Sequence, residues 1–204
     1  MNRTYTMVLR AETKTAATSL ILDAAERLFS RELYEKVSFN SIAHESGMGI
    51  QTVVRHFPTK ELLFLASMTR SLEKADQSRN YLPGQTLVQS VQQLLDYYES
   101  HGRIIIHYLD QVATNPAFAP VTQAGWEAHI RWTDILFFPH LNYGKDSDPI
   151  RKAQIEAILD IRVWEMLRIR KGLSIADMSK VILGLLQPFC NSQKVAENIS
   201  VSSV

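Results

Sequence analysis

The chain has 204 residues, 46% of them hydrophobic and 21% charged, with a formal net charge of +1. That is the balance of an ordinary globular protein long enough for a small domain and a larger one. Overall charge therefore does not announce a nucleic-acid partner, although a DNA-binding surface needs only local positive charge. The single cysteine, Cys190, excludes an internal disulfide framework and fits a reducing compartment. No apolar run approaches the roughly 18 residues of a membrane span. The first residues, MNRTYTMVLRAETKTAATS, lack the apolar core of a secretion signal. A cytoplasmic protein that makes no membrane contact is expected.

In chain order, nearly every segment has helical periodicity, and no β pattern or repeat is present. Residues 1–12 are expected to be a flexible arm. A first helix follows from about Thr13 to Leu33, with Leu22, Ala25, Leu28 and Phe29 at helical spacing. Ser38 can cap a short helix whose inner side is Phe39, Ile42 and Ala43. Ser46-Gly47-Met48 breaks it, since glycine enters the left-handed conformation of a sharp reversal without strain. Another short helix runs from about Gly49 to Phe57 and stops at Pro58. Val53 and Phe57 form its inner stripe, while Gln51, Thr52, Arg55 and His56 lie on the other side. Two short helices around a glycine turn, the second polar on its outer side, make a helix-turn-helix whose second member suits the major groove.

A fourth helix, capped by Thr59, extends to about Gln77 and connects to the remainder of the chain. Residues 78–86, with Pro83-Gly84, read as a connection. The segment from Leu87 is amphipathic, with an interruption expected at Gly102. RIIIHYLDQVAT then continues as a separate helix up to Asn115-Pro116. A helix opened by Pro120 carries Trp126, Ile130, Trp132 and Leu136 and closes at Pro139. After a loop over 142–149, a helix of about twenty residues ends at Lys171-Gly172. Ser174 caps the last helix, which Pro188 disturbs, and the tail from Gln193 is expected to fray. The expected fold is all-α: an N-terminal three-helix helix-turn-helix domain, a long connecting helix and a C-terminal helical domain, about nine helices in total. The expected division is arm 1–12, helix-turn-helix domain 13–60 with the connecting helix to about 77, and helical domain 78–204.

ILDAAERLF (21–29), IAHESGM (42–48), TVVRHF (52–57) and TKELL (59–63) stand in an order and spacing that resembles the N-terminal domain of the TetR family. The match covers about residues 20–65. The resemblance implies a bacterial one-component regulator with an N-terminal DNA-binding domain and a C-terminal domain that dimerises and senses a ligand. By that resemblance Thr52 faces bases or backbone, while His56 and Lys60 stand where the family holds phosphates. Gln51 can pair with adenine and Arg55 can reach guanine or phosphate. Asn40 and Ser41 are within reach of the backbone or a base edge. Where family members usually carry a phosphate-binding tyrosine, this chain has Val54. Residues 1–60 hold eight Lys/Arg against six Asp/Glu, so any attraction to DNA must come from geometry more than from bulk charge.

The C-terminal part is rich in aromatic and polar side chains at helical spacing. Arg103, His107, Trp126, His129, Trp132 and Trp164 are the candidates for a pocket that takes an aromatic or anionic small molecule. The last two helices carry wide apolar stripes. Ile155, Ile158 and Leu159 on one, and Val181, Ile182, Leu185 and Leu186 on the other, are candidates for a dimer interface. The partners expected are thus double-stranded DNA, a second copy of the chain and an unidentified small-molecule effector. The expected mechanism is a repressor that its effector releases from a palindromic operator, with the opposite sign, or no effector, as the alternatives.

No catalytic role is expected. Glu-x-x-His, His-Glu-x-x-His, Gly-x-Ser-x-Gly, the P-loop and Gly-x-Gly-x-x-Gly are all absent from the sequence. No cofactor and no metal are expected either. The competing reading is a helical protein-interaction module without DNA function, which predicts a flat dependence of any DNA affinity on salt.

Overall fold

Side-chain capping and apolar spacing place the helices of the computed structural model. It describes residues 3–77, 79, 84–144 and 148–190, with residues 3–14 described as backbone. The order is α1 (Arg3–Phe29), α2 (Phe39–Ser46), α3 (Ile50–His56), α4 (Lys60–Gln77), α5 (Leu87–Leu109), α6 (Ala119–Phe137), α7 (Pro149–Ile158), α8 (Ile161–Trp164) and α9 (Ile175–Leu186). Short 3-10 turns lie at Tyr34–Lys36, Pro116–Phe118 and Gln187–Phe189. Among the described residues no helix is long and apolar enough to cross a membrane.

Several boundaries differ from those the sequence predicts. The arm expected over 1–12 is helical from Arg3 onward. Neither proline nor glycine stands before Gly47, and a lone Thr13 cap is too weak to start a helix against a continuous run of compatible residues. Gly102 does not interrupt α5, which is continuous from Leu87 to Leu109. The long helix expected after Pro149 is broken at Leu159–Asp160. There the Leu159 carbonyl accepts the Tyr98 hydroxyl at 2.7 Å, and Asp160 starts α8 by accepting the Arg162 N–H at 2.7 Å. Beyond Trp164 the backbone winds as a π-helix over Glu165–Arg170. Residues 78 and 80–83 of the predicted connection, 145–147 of the predicted loop and the tail from Gln193 lie outside the described residues.

The chain divides into two compact units. The first comprises residues 1–77 and 110–122, the second 78–109 and 123–204. The expected boundary near residue 78 is therefore incomplete, because the segment 110–122 returns to the first unit. Within that unit α1 packs on α2 and α4, over a core of Ile21, Leu28, Phe29, Ile42, Val53, Leu63, Phe64 and Phe118. Phe118 lies against Phe64 with ring centroids 4.4 Å apart, and Phe64 lies edge-on to Phe29 at 5.0 Å. The Tyr34 N–H donates to Gln111 Oε1 at 2.9 Å. Arg70 on α4 is paired with Asp23 and Glu26 on α1 at 2.5 and 2.6 Å, which fixes the second half of the connecting helix on the first.

In the second unit α5 packs on α8 and α9, and α7 on α9. Leu94, Leu95, Tyr98, Leu136, Phe137, Ile155, Trp164, Met178 and Leu186 form its core. Gly102 lets the Trp164 ring press against the α5 backbone. A Cβ at that position would stand 2.6 Å from Trp164 Cζ3.

Candidate nucleic-acid interface and ligand groove

The helix-turn-helix is built by local chemistry. Ser38 and Ser41 form a reciprocal capping box at the start of α2: the Ser41 N–H donates to Ser38 Oγ at 3.1 Å, and the Ser38 N–H to Ser41 Oγ at 2.9 Å. Gly47 closes α2 in the left-handed region, at φ 68°, where a Cβ carries a steric penalty. Gly49 starts α3 without a side-chain cap. Arg27 on α1 holds Glu45 at 2.7 Å. That hydrogen bond keeps the Glu45 carboxyl below its usual range.

The orientation of α3 follows from one residue. Val53 is fully buried, so the opposite side of this short helix faces outward. Gln51 and Arg55 are exposed and Thr52 is half-buried. Ile50 and Val54 add exposed apolar surface beside them. Asn40, at the start of α2, is exposed as well.

Three other expected DNA contacts already have partners within the chain. The Ser41 hydroxyl donates to the Ser38 carbonyl at 2.8 Å as part of the capping box. His56 Nδ1 is 2.9 Å from the Thr18 hydroxyl on α1. Lys60 is turned inward. Its ammonium donates to the carbonyls of Tyr34 at 2.6 Å and Val37 at 2.9 Å and stands 4.2 Å from the centre of the Tyr34 ring. Burial lowers its pKa, against the opposing effect of Glu35. Its three donors thus satisfy the carbonyls of the turn between α1 and α2. The sequence contained no signal for this, because those carbonyls are brought to Lys60 by the packing of α4 on α1.

In the second unit, Trp126 and His129 of α6 line an open groove of about 490 Å³ together with Ile130, Glu156, Asp160 and Met166. The other pocket candidates lie elsewhere. Arg103 is exposed and His107 half-buried on α5. Trp164 is 2% exposed, with its indole N–H donating to Glu99 Oε1 at 2.9 Å. Trp132 is 4% exposed and lies beside Arg79, whose guanidinium is 5.3 Å from its ring. His129 is held neutral: burial and then the Arg79 charge push its pKa down to about 4. Its Nε2 is 3.1 Å from the Tyr98 hydroxyl and 3.2 Å from the Leu159 carbonyl. The Tyr98 proton is given to Leu159, so Nε2 carries the second hydrogen.

The expected dimer-interface residues separate into two groups. Ile155, Leu159, Ile182 and Leu186 are buried within the chain itself, because α7 and α9 pack on each other and α9 on α5. Val181 and Leu185 are 37% and 46% exposed on the outer side of α9, and Ile158 is half-buried.

Comparison with known proteins fits this architecture. Residues 21–67 match the model of the bacterial regulatory proteins, tetR family. The chain is 31% identical over 75 residues to the HTH-type transcriptional repressor KstR of Rhodococcus jostii, an alignment spanning 37% of this chain and 35% of that repressor. A proposed transcriptional regulator from Saccharomonospora viridis, solved in complex with choline, superposes with a TM-score of 0.62 at 18% identity, covering 85% of this chain and 96% of that one. A TetR transcription regulator from Haloarcula marismortui superposes with a TM-score of 0.65 at 15% identity, over 87% and 100% of the two chains. At such identities the structural likeness concerns the fold.

Proposed function

The chain belongs, through its N-terminal domain, to the TetR family of bacterial regulatory proteins, and on that premise we propose that it is a DNA-binding transcriptional regulator. It acts as a homodimer on a palindromic operator in the bacterial cytoplasm, and it is a repressor that a small molecule releases. The observation that carries this reading is the outward side of α3, where Gln51 and Arg55 are exposed while Val53 anchors the helix in the core. Such a helix can enter the major groove and pair with base edges, Gln51 with adenine and Arg55 with guanine.

One helix-turn-helix covers only a few base pairs, so specificity needs two copies with half-sites about one helical turn, or a multiple, apart. The exposed Val181 and Leu185 on α9 support pairing with a second copy through an isologous contact. The groove at Trp126 and His129, and the choline held by a protein of the same fold, support a small-molecule effector. The repressor named among the relatives supports the sign. Effector binding changes operator affinity only if it favours one of two arrangements of the protein. Two routes carry that preference along the chain: α4 at residue 77, and the segment 110–122, whose Phe118 sits in the core of the first unit.

Selection of bound fragments from random duplex DNA by the purified protein tests the proposal, with and without aromatic or acidic small molecules. An enriched inverted repeat, with log affinity falling steeply as log salt rises, is the expected result. No enrichment under any condition, with a flat salt dependence, would leave the protein-interaction module as the better reading.

A further inference from the structure

Apart from the groove at Trp126, the second unit contains a cluster that the regulatory reading leaves unused. The Arg79 guanidinium stands 4.8 Å from the centre of the Tyr97 ring and 5.3 Å from that of Trp132. Its Nη2 donates to the Tyr97 hydroxyl at 2.8 Å. The Tyr97 and Trp132 rings are 5.0 Å apart and inclined at 56°, so they form two walls meeting at an angle. His101 stacks on Tyr97 at 4.6 Å, and His129 meets Trp132 edge-on at 6.2 Å. Tyr97 and Trp132 are 8% and 4% exposed. Electron-rich ring faces attract a cation, and the attraction grows as water is removed.

The chain's own cation does not match this cage fully. Trp132 Nε1 is buried and has no hydrogen-bond partner among the described residues. An indole N–H can only donate, and a guanidinium offers donors and no acceptor. Arg79 can therefore fill the cage and never satisfy the indole. It also gives up the freedom of a long side chain to lie there, which a compact guest does not. The surroundings suit a positive guest in a second way. His129 is neutral at physiological pH, with its pKa pushed down to about 4, so the neighbouring wall adds no competing charge. The Asp160 carboxylate lies close enough to raise the pKa of the Tyr98 hydroxyl, after the larger effect of burial.

We propose that Tyr97 and Trp132 form a recognition site for a small organic cation that carries an oxygen acceptor a few bonds from its charge, and that Arg79 is a built-in placeholder which this ligand displaces. The cationic head takes the place of the guanidinium between the rings, and the oxygen accepts the Trp132 N–H. The proposal rests on the effector part of the reading above and changes it in two ways: the effector sits beyond the groove, which His129 links to Trp132, and it is a cation, not the aromatic or acidic molecule expected from the sequence. Arg79 follows α4 by two residues, Gln77 being the last of that helix.

Calorimetric titration of the full chain, without DNA, is the test. The probes are trimethyl(2-methoxyethyl)ammonium, tetramethylammonium, and the neutral carbon analogue 1-methoxy-3,3-dimethylbutane. Arg79→Ala is expected to bind the methoxyethyl cation at least tenfold more tightly than the parent, because the placeholder is gone. The neutral analogue is expected to bind at least tenfold more weakly than the cation to both proteins. Trp132→Phe keeps an aromatic wall and loses the N–H, so it should lose the preference for the methoxyethyl cation over tetramethylammonium. Equal binding by the parent and Arg79→Ala, equal binding of the cation and its neutral analogue, or no binding by a folded Arg79→Ala protein would each overturn the proposal. Cation binding with no enriched operator strikes only the DNA reading, and an enriched operator with no cation binding strikes only this one.

Discussion

Replacing Gly102 by alanine separates two accounts of α5 by the sign of one number. A glycine in mid-helix, read from sequence, marks a weak point, and alanine there should stabilise the helix by about 1 kcal/mol. The structure predicts the reverse. The added Cβ would lie 2.6, 2.8 and 3.0 Å from Cζ3, Cη2 and Cε3 of Trp164. Ordinary contact begins at 3.4 Å, so the ring must retreat by about 0.8 Å. It is not free to do so. Trp164 is 2% exposed, its N–H is bound to Glu99 at 2.9 Å, and Glu99 is itself held by Arg168 at 3.0 Å. Overpacking of this kind costs roughly 1–3 kcal/mol, and the gain in helix propensity offsets part of it. A contact as short as 2.6 Å against a ring held in place puts the cost in the upper part of that range, about 2–3 kcal/mol, so after the propensity gain a net loss of about 1–2 kcal/mol is expected, equivalent to roughly 2–8 °C in Tm for a protein of this size. Thermal and urea unfolding of Gly102→Ala, alone and combined with Trp164→Leu, measures it. In the Trp164→Leu background the same alanine should be neutral or stabilising. A Gly102→Ala single variant as stable as its parent would refute the packing of α5 against Trp164.

Four further outcomes are expected. His129 titrates at about 4 in the folded chain against about 6.5 unfolded. Between those values the unfolded chain binds the proton and the folded one does not, so stability is full above about pH 6.5 and falls by roughly 3 kcal/mol as pH drops towards 4. Urea midpoints across this range should show the slope for the parent and a flatter one for His129→Gln. Lys60→Met should cost about 1–3 kcal/mol in urea unfolding, because it strands the Tyr34 and Val37 carbonyls. A purely phosphate-binding Lys60 would leave stability unchanged and lower DNA affinity alone. Val181→Glu with Leu185→Glu should give a folded monomer by light scattering, and an unchanged dimer would place the interface elsewhere. Gln51→Ala and Arg55→Ala should each relax operator preference by about 1–3 kcal/mol in competition binding, with melting temperatures unaltered.

How far the sequence is legible depends on the range of the forces involved. The two short helices at 38–57 are written in neighbouring residues: a serine cap, a glycine at a left-handed turn, a valine inside and a proline stop. Each acts within a few positions, and the structure repeats them, with the Ser38–Ser41 capping box, Gly47 at φ 68° and Val53 buried. The outward display of Gln51 and Arg55 follows from helical periodicity alone. The apolar stripes of the C-terminal helices are equally local, and so is the all-helical class.

Whatever required two distant segments to meet was decided by the tertiary structure. Lys60 looks like a phosphate ligand until folding brings the carbonyls of Tyr34 and Val37 to its ammonium. The stripes on α7 and α9 look alike along the sequence, yet packing within the chain uses Ile155, Leu159, Ile182 and Leu186 and leaves Val181 and Leu185 outside. Phe118, far along the chain from Phe64, lies 4.4 Å from it and assigns the segment 110–122 to the first unit. Arg79, an unremarked residue in a polar connection, becomes the cation between Tyr97 and Trp132. Local spacing sets which face of a helix is apolar or polar, through rules that reach one or two turns. Which partner covers that face, and which charge is drawn inward, depends on burial and on hydrogen bonds between groups that only the folded chain brings into range.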